Sequence, residues 1–373
     1  MRSAEVTEKT ERLARMLAAE GLGGVLLGAQ HNFAWLTAGG RSGVDMSQGA
    51  GVASLLVRRD GRRFVLANRI ELARMLAEEL PEGEFEPVEF GWAEEKASPT
   101  FLADRAATLL DAGSALGADS PAGPSARVVE SAVARCRYRL TDGELERFRA
   151  LGGDAGEALG SLVARLAPGE TEREVARRAA DALAARGIEA VVNLVAADER
   201  IASYRHPVPT EKRWRKVLMV VVCARRGGLI ASLTRLVCAG EVPEELRRRT
   251  EACARVNAHL LAATRPGATG AELYKVAARA YAEAGFEGEE LLHHQGGAAG
   301  YRTRDWVAHP ASDERVVAGQ AFAWNPSITG TKTEESCVCF DDGVEVVTAT
   351  PGWPSIAVEV DGREYVSPGV LPL

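Results

Sequence analysis

The segment APGETEREVARRAADALAARGIE at 167–189 matches RPGATGAELYKVAARAYAEAGFE at 265–287 without a gap. Pro168 meets Pro266, Thr171 meets Thr269, Glu174 meets Glu272 and Gly187 meets Gly285. Each copy opens with Pro-Gly and carries the Thr-x-x-Glu spacing, in which the hydroxyl and the carboxylate each satisfy a free backbone amide at a helix start. Each copy then stops at a glycine, the residue that best ends a helix in the left-handed conformation. A chain that carries this unit twice is expected to fold as two equivalent halves. Downstream the copies stay loosely parallel: YRHPVP around His206 corresponds to WVAHPA around His309, and apolar β-ribbons follow at 217–238 and 321–340. Helices outside and ribbons in the middle would leave a cleft between the ribbons as the place for chemistry.

Ahead of the repeat, residues 7–20 read as a helix and GGVLLG at 23–28 as a strand. SLLVRRDGRRFVLA reads as a hairpin turning at Asp60-Gly61, and 71–80 as a further helix. GADSPAGPSARV at 117–128 is loop-like, and Thr141 with Glu144 opens a long helix whose Leu145, Phe148, Leu151, Ala155, Leu159 and Leu162 share one face. The expected fold class is α/β (α+β), with a small domain over 1–138 and a larger one over 139–373, and 373 residues suffice for two buried cores. A net charge of −7 argues against nucleic acid as the main partner, because phosphate binding needs a concentrated basic surface. The longest apolar run, VLMVVVCA at 217–224, is too short to span a bilayer, and no signal-peptide core opens the chain, so no membrane partner and a cytoplasmic location are expected. The six cysteines lack CxxC spacing and should be reduced and mostly buried.

The stretch HHQGGAAGYRTRDWVAH at 293–309 gathers three of the six histidines with two arginines and a glycine pair. If extended, it would send His293 and His294 to opposite sides, with His294 inward. Gly296 and Gly297 would make a tight turn or admit backbone amides to a developing oxyanion. One of Arg302 and Arg304 could clamp a substrate carboxylate, and Glu334 and Glu335 should face opposite ways.

With HHQGG, NPSI and TEES-x4-DDG added to the duplicated helix-ribbon plan, the chain resembles the creatinase, prolidase and aminopeptidase P family and its pita-bread fold. The resemblance implies five metal-ligand positions, which fall on Val221, Ser232, His294, Asn325 and Glu334, with Thr234-Arg235 matching the family's Thr-Arg pair. Valine has no donor, and serine and asparagine are neutral, so two close dications would lack the carboxylates that screen their repulsion. A zinc held by Cys223, Cys337 and a histidine has no ligand spacing in its favour.

No cofactor and no metal are therefore expected. Creatinase-like members of the family work without metal, and their histidine corresponds to His206, an imidazole able to take a proton from water and return it to a leaving nitrogen. The resemblance then implies hydrolysis of an amide or amidine-like C–N bond in a small carboxylate-bearing substrate. In this reading His206 is expected as the base and His294 as a polarising donor. Thr234 stands where the creatinase glutamate would, so Glu334 is expected as the partner of His206 instead, and His293, Gln295, Tyr301, Arg302, Arg304, His309 and Asn325 are expected to line the substrate. It also implies a homodimer, with the Gly-rich segment 37–51 as a binding loop. The alternatives are an Xaa-Pro metallopeptidase and a non-enzymatic binding module.

Overall fold

The structure, a computed structural model, describes residues 2–163 and 165–373. They pack as two units, one running to Glu144 and the other from Leu145 to Leu373.

The first unit is a six-stranded sheet ordered β4-β3-β2-β1-β5-β6. It contains β1 (Gly24–Ala29), β2 (Ala50–Arg58), β3 (Arg63–Asn68), β4 (Glu86–Phe90), β5 (Leu116–Ala118) and β6 (Ala126–Val128). The hairpin turns at Asp60-Gly61 as expected, with Gly61 at φ 88° where a side chain would be strained. One face buries Leu26, Leu56, Phe64, Leu66 and Phe90 together. The first helix begins earlier than expected, at Arg2–Glu20, and the 71–80 helix is a single α-turn, Leu72–Arg74, continued by a π-turn, Met75–Glu79. Residues 117–128, expected as loop throughout, overlap two short parallel strands at their ends, because backbone pairing on an existing sheet outweighs weak local propensity. Lys9 is fully buried, and its ammonium meets the carboxylates of Glu5 at 2.5 Å and Glu144 at 2.6 Å. That contact ties the first helix to the Thr141–Glu144 capping box, where the Thr141 amide donates to Glu144 at 2.7 Å.

The second unit has the duplicated plan. Helices Glu172–Ala184 and Gly270–Glu283 both carry the Thr-x-x-Glu capping box, and Gly187 and Gly285 follow them with φ of 66° and 79°. Isolated bridges Thr171–Arg213 and Thr269–Arg315 repeat the same local closure in each copy. Four strands, β7 (Glu189–Ala197), β8 (Val217–Arg226), β9 (Leu229–Cys238) and β19 (Val370–Pro372), form one sheet, in the order β19-β9-β8-β7. A second sheet, ordered β11-β10-β12-β15-β16, contains β10 (Gly296–Ala299), β11 (Trp306–Val307), β12 (Gln320–Trp324), β15 (Glu335–Phe340) and β16 (Gly343–Val346). Its ribbon is interrupted by a small hairpin of β13 (Ser327–Ile328) and β14 (Thr331–Lys332), while β17 (Ser355–Val360) and β18 (Arg363–Pro368) pair separately.

The two ribbons meet in the middle. The Ser232 amide donates to Ser336 Oγ at 2.7 Å, Ser336 Oγ donates back to the Ser232 carbonyl at 3.1 Å, and the Thr234 amide donates to the Glu334 carbonyl at 3.1 Å. Phe148, Leu151, Ala155, Leu159 and Leu162 of the helix Asp142–Val163 are buried, as their spacing requires. Among the described residues no helix is long and apolar enough to cross a membrane.

Candidate functional site

Three histidines converge beside the junction of the ribbons. His206 lies between the short helix Arg200–Ser203 and β8, in the first copy of the repeat; His293 and His294 precede β10, in the second. His206 Nε2 is 3.2 Å from His293 Nε2, and Ser327 Oγ is 3.3 Å from His293 Nδ1. The rings of His293 and His294 stack with centroids 4.6 Å apart, and one ring nitrogen from each histidine lies within 4.8 Å of the others. His293 is buried, whereas His206 and His294 are exposed.

The expectation that His293 and His294 point to opposite sides is wrong. The strand starts only at Gly296, and the residues before it follow an irregular path. Gln295 sets that path: its amide nitrogen donates to the His293 carbonyl and, at 3.3 Å, to that of Glu290, while its oxygen accepts from Tyr281 Oη at 2.6 Å. With its amide taken up in this way, Gln295 braces the histidines. A second brace comes from Arg205, whose guanidinium pairs with Glu289 and donates to Thr329 Oγ1 at 3.0 Å. Glu289 also accepts from the Thr329 amide at 3.0 Å, so the segments before His206, before His293 and between β13 and β14 are held at one point.

Beside the histidines lies the buried Glu334. Its carboxylate receives Lys332 Nζ at 2.8 Å, Arg304 Nη2 at 3.3 Å and the Thr234 hydroxyl at 2.8 Å. Burial alone would push this carboxyl up, but the two cations and the hydroxyl outweigh it and hold the group at about 2. The same surroundings act on the imidazoles in the opposite sense. Burial, then Lys332 and the neighbouring histidines, takes His293 down to about 2. Although His294 and His206 are exposed to solvent on one side, partial desolvation within the cluster, then Arg304, takes His294 to about 4, and partial desolvation, then Lys332, lowers His206. Near neutral pH the cluster is therefore a set of uncharged imidazoles next to an ionised carboxylate. That carboxylate, expected as the partner of His206, bonds instead to Lys332, Arg304 and Thr234, and the contact of His206 within the cluster is His293.

The remaining expected residues separate. Arg304 is the arginine at the site, and Arg302 is exposed. Glu335 faces away, pairing with Arg235 at 2.9 Å, and burial pushes its carboxyl up. His309 is exposed and its Nδ1 accepts from the Ala311 amide in a turn. Tyr301 is buried just beyond β10. Asn325 is buried, and its amide oxygen has no hydrogen-bond partner among the described residues. Gly296 and Gly297 are strand residues, where a Cβ would collide with the Ala323 and Trp306 carbonyls of the flanking strands. Lys332, Ser327 and Arg205 were not singled out from sequence; the two-residue spacing of Lys332 and Glu334 was the available signal for the first.

The residues at the five expected ligand positions do not fit a pair of metal ions. Val221 lies in an apolar cluster with Met219, Ile201 and Leu236, and the Ser232 hydroxyl contacts Cys223 Sγ at 3.2 Å. Asn325 offers a neutral amide, and Glu334 is already neutralised by two cations of the chain itself.

Residues 146–349 match the family model of metallopeptidase family M24. The Xaa-Pro dipeptidase of Pyrococcus furiosus is 23% identical over 232 residues, 60% of this chain, and the match spans 66% of that relative's length. The crystal structure of dipeptidase PepE from Mycobacterium ulcerans superposes with a TM-score of 0.77 at 19% identity, covering 94% of this chain and 97% of that one. The N-terminal domain of the FACT complex subunit SPT16 from Cicer arietinum superposes with a TM-score of 0.70 at 9% identity, covering 93% and 96%. The two superpositions establish the fold alone; the family match extends over more than half of the chain, which belongs to metallopeptidase family M24.

Proposed function

We propose that the protein is a peptidase-type hydrolase that cleaves a C–N bond of the Xaa-Pro kind in a small, carboxylate-bearing peptide. The observation that carries the reading is the convergence of His206, His293 and His294 on one another, within electrostatic reach of the ionised Glu334. The likeness to an Xaa-Pro dipeptidase supports the substrate class. An uncharged imidazole at His206 can take a proton from water, share it with His293 across their 3.2 Å contact and return it to a leaving nitrogen. Glu334 favours the imidazolium so formed, while Lys332 and Arg304 oppose it and keep the resting imidazole uncharged. Arg304 Nε is buried without a hydrogen-bond partner among the described residues, which leaves a donor for the carboxylate or carbonyl of the substrate. No step is assigned to a metal pair, since the residues at the five positions do not suit one.

A second reading, metal-independent creatinase-like hydrolysis of a guanidino or ureido acid, is favoured by those same non-ligand residues. One panel of Xaa-Pro dipeptides, guanidino acids and ureido acids, assayed by product chromatography with and without added divalent ions, separates the two. We expect Xaa-Pro cleavage, reduced at least about 100-fold in kcat/KM by His206→Ala, the usual contribution of a positioned base. Turnover confined to guanidino or ureido acids would transfer the assignment to the second reading, and a folded protein inert on the whole panel would remove both.

A further inference from the structure

We propose that His206, His293 and His294 form a three-imidazole site for one late first-row divalent ion of the zinc type. Of these residues only His294 stands at a position where the family resemblance places a ligand, so this would be a centre of different composition. The argument is geometric. Imidazole nitrogens bind zinc at about 2.0–2.1 Å, so two such ligands of a tetrahedral ion stand about 3.3–3.4 Å apart. His206 Nε2 and His293 Nε2 stand 3.2 Å apart, and the three histidines offer ring nitrogens within 4.8 Å of one another, a gap that a small turn of the exposed His294 ring would close.

The surroundings are those of a ligand set. His293 Nδ1 contacts Ser327 Oγ at 3.3 Å, the type of outer hydrogen bond that orients a ligating imidazole by its other nitrogen. Gln295 and the Arg205–Glu289 pair fix the two segments that carry the histidines. His206 and His294 are exposed, which leaves an entry path and a fourth coordination position open. Lys332 and Arg304 leave one net positive charge after Glu334 is counted, so the field repels a dication. Binding must therefore come from nitrogen coordination. That selects ions with strong imidazole preference, zinc, cobalt or copper, over manganese, magnesium and calcium, which prefer carboxylate oxygen. A bound ion would take the His206 nitrogen lone pair that the proposed base uses, so ion binding and that base role exclude each other, and a loaded site would suppress the proposed turnover.

The test is a titration of chelator-treated, dialysed full-length protein with Zn²⁺ and with Co²⁺, followed by calorimetry and by the visible absorption of bound cobalt. We expect one ion per chain, an intense tetrahedral-type cobalt spectrum, no comparable affinity for Mn²⁺, and at least about a 100-fold loss of affinity in His293→Ala. His309→Ala, at an exposed turn, should bind as the parent does. X-ray absorption of the zinc-loaded parent should count three imidazoles, and this readout holds even if the His293 variant fails to fold. Two ions per chain, Mn²⁺ bound as well as Zn²⁺, unchanged affinity in a folded His293→Ala protein, or fewer than three imidazoles around zinc would each overturn the proposal.

Discussion

Glu130 shows what one half-buried charge does in the first unit. Its carboxylate accepts from Asn32 Nδ2 at 2.8 Å and Arg137 Nη2 at 2.8 Å and faces His31 Nε2 at 3.2 Å, while Arg137 is fully buried. Burial pushes the carboxyl up, but His31, Arg137 and Asn32 together hold it at about 2, well below its ordinary 4.5. A depressed folded-state value means that the unfolded chain takes the proton first. The stabilisation from Glu130 is thus complete above about pH 4.5 and is lost as pH falls toward 2. Glu130→Gln should lower stability at neutral pH by about 2 kcal/mol, the scale of hydrogen bonds to a charged group, and flatten the acid limb of a urea-midpoint-versus-pH curve. An acid limb identical in parent and variant would show that the network carries no such weight. Single residues of this kind are poorly legible in sequence, because Asn32, Glu130 and Arg137 meet only through the fold. The same limit explains the histidine pair. His293 and His294 look like alternating strand residues, and only the bonds of Gln295 to Tyr281, Glu290 and the His293 carbonyl explain why both turn the same way.

At the scale of elements, the helix starts were legible because a capping box is a local event: Thr171 and Glu174, or Thr269 and Glu272, meet their partners within three residues. The ribbons were legible through apolar runs, but the β13–β14 hairpin that splits the second ribbon was not. It carries Lys332 toward Glu334, and it is fixed from outside by Arg205 and Glu289 through Thr329. Arg205 thus acts on the site without being one of its histidines. Arg205→Ala should cost only about 1 kcal/mol or less in stability, since the pair is partly exposed. It should nevertheless lower kcat about 10- to 100-fold, because displacing a reacting group by an ångström is worth that much. Arg205→Lys, which keeps the charge but loses the fork that reaches both Glu289 and Thr329, should recover only part of the rate. If the alanine variant matched the parent in kcat while losing several kcal/mol of stability, the pair would be a plain structural brace.

For the whole molecule, the repeat determines where chemistry can occur, since a site at the junction of two copies draws on loops from both; His206 comes from one half and His293, His294 and Glu334 from the other. Enclosure in the two cores also governs the thiols. All six cysteines are free, five are buried and Cys136 is half-buried. Burial pushes the thiols of Cys136, Cys253 and Cys339 up to about 11, and those of Cys223, Cys238 and Cys337 move the same way. Because the thiolate is the reactive form, each should be nearly inert at pH 8 until its own unit opens. A chromogenic disulfide reagent should therefore label the native protein slowly and all six thiols at once in strong denaturant, with added reductant leaving the thermal midpoint unchanged. Intermediate urea concentrations make the measurement sharper. Cys136 belongs to the first unit and the other five to the second, so mass spectrometry of partially labelled chains reports which unit opens first. Rapid native labelling of Cys223 or Cys337, which lie on β8 and β15 near the ribbon junction, would mean that the ribbons part without global unfolding, and the closed junction described for Ser232 and Ser336 would not be the resting state in solution.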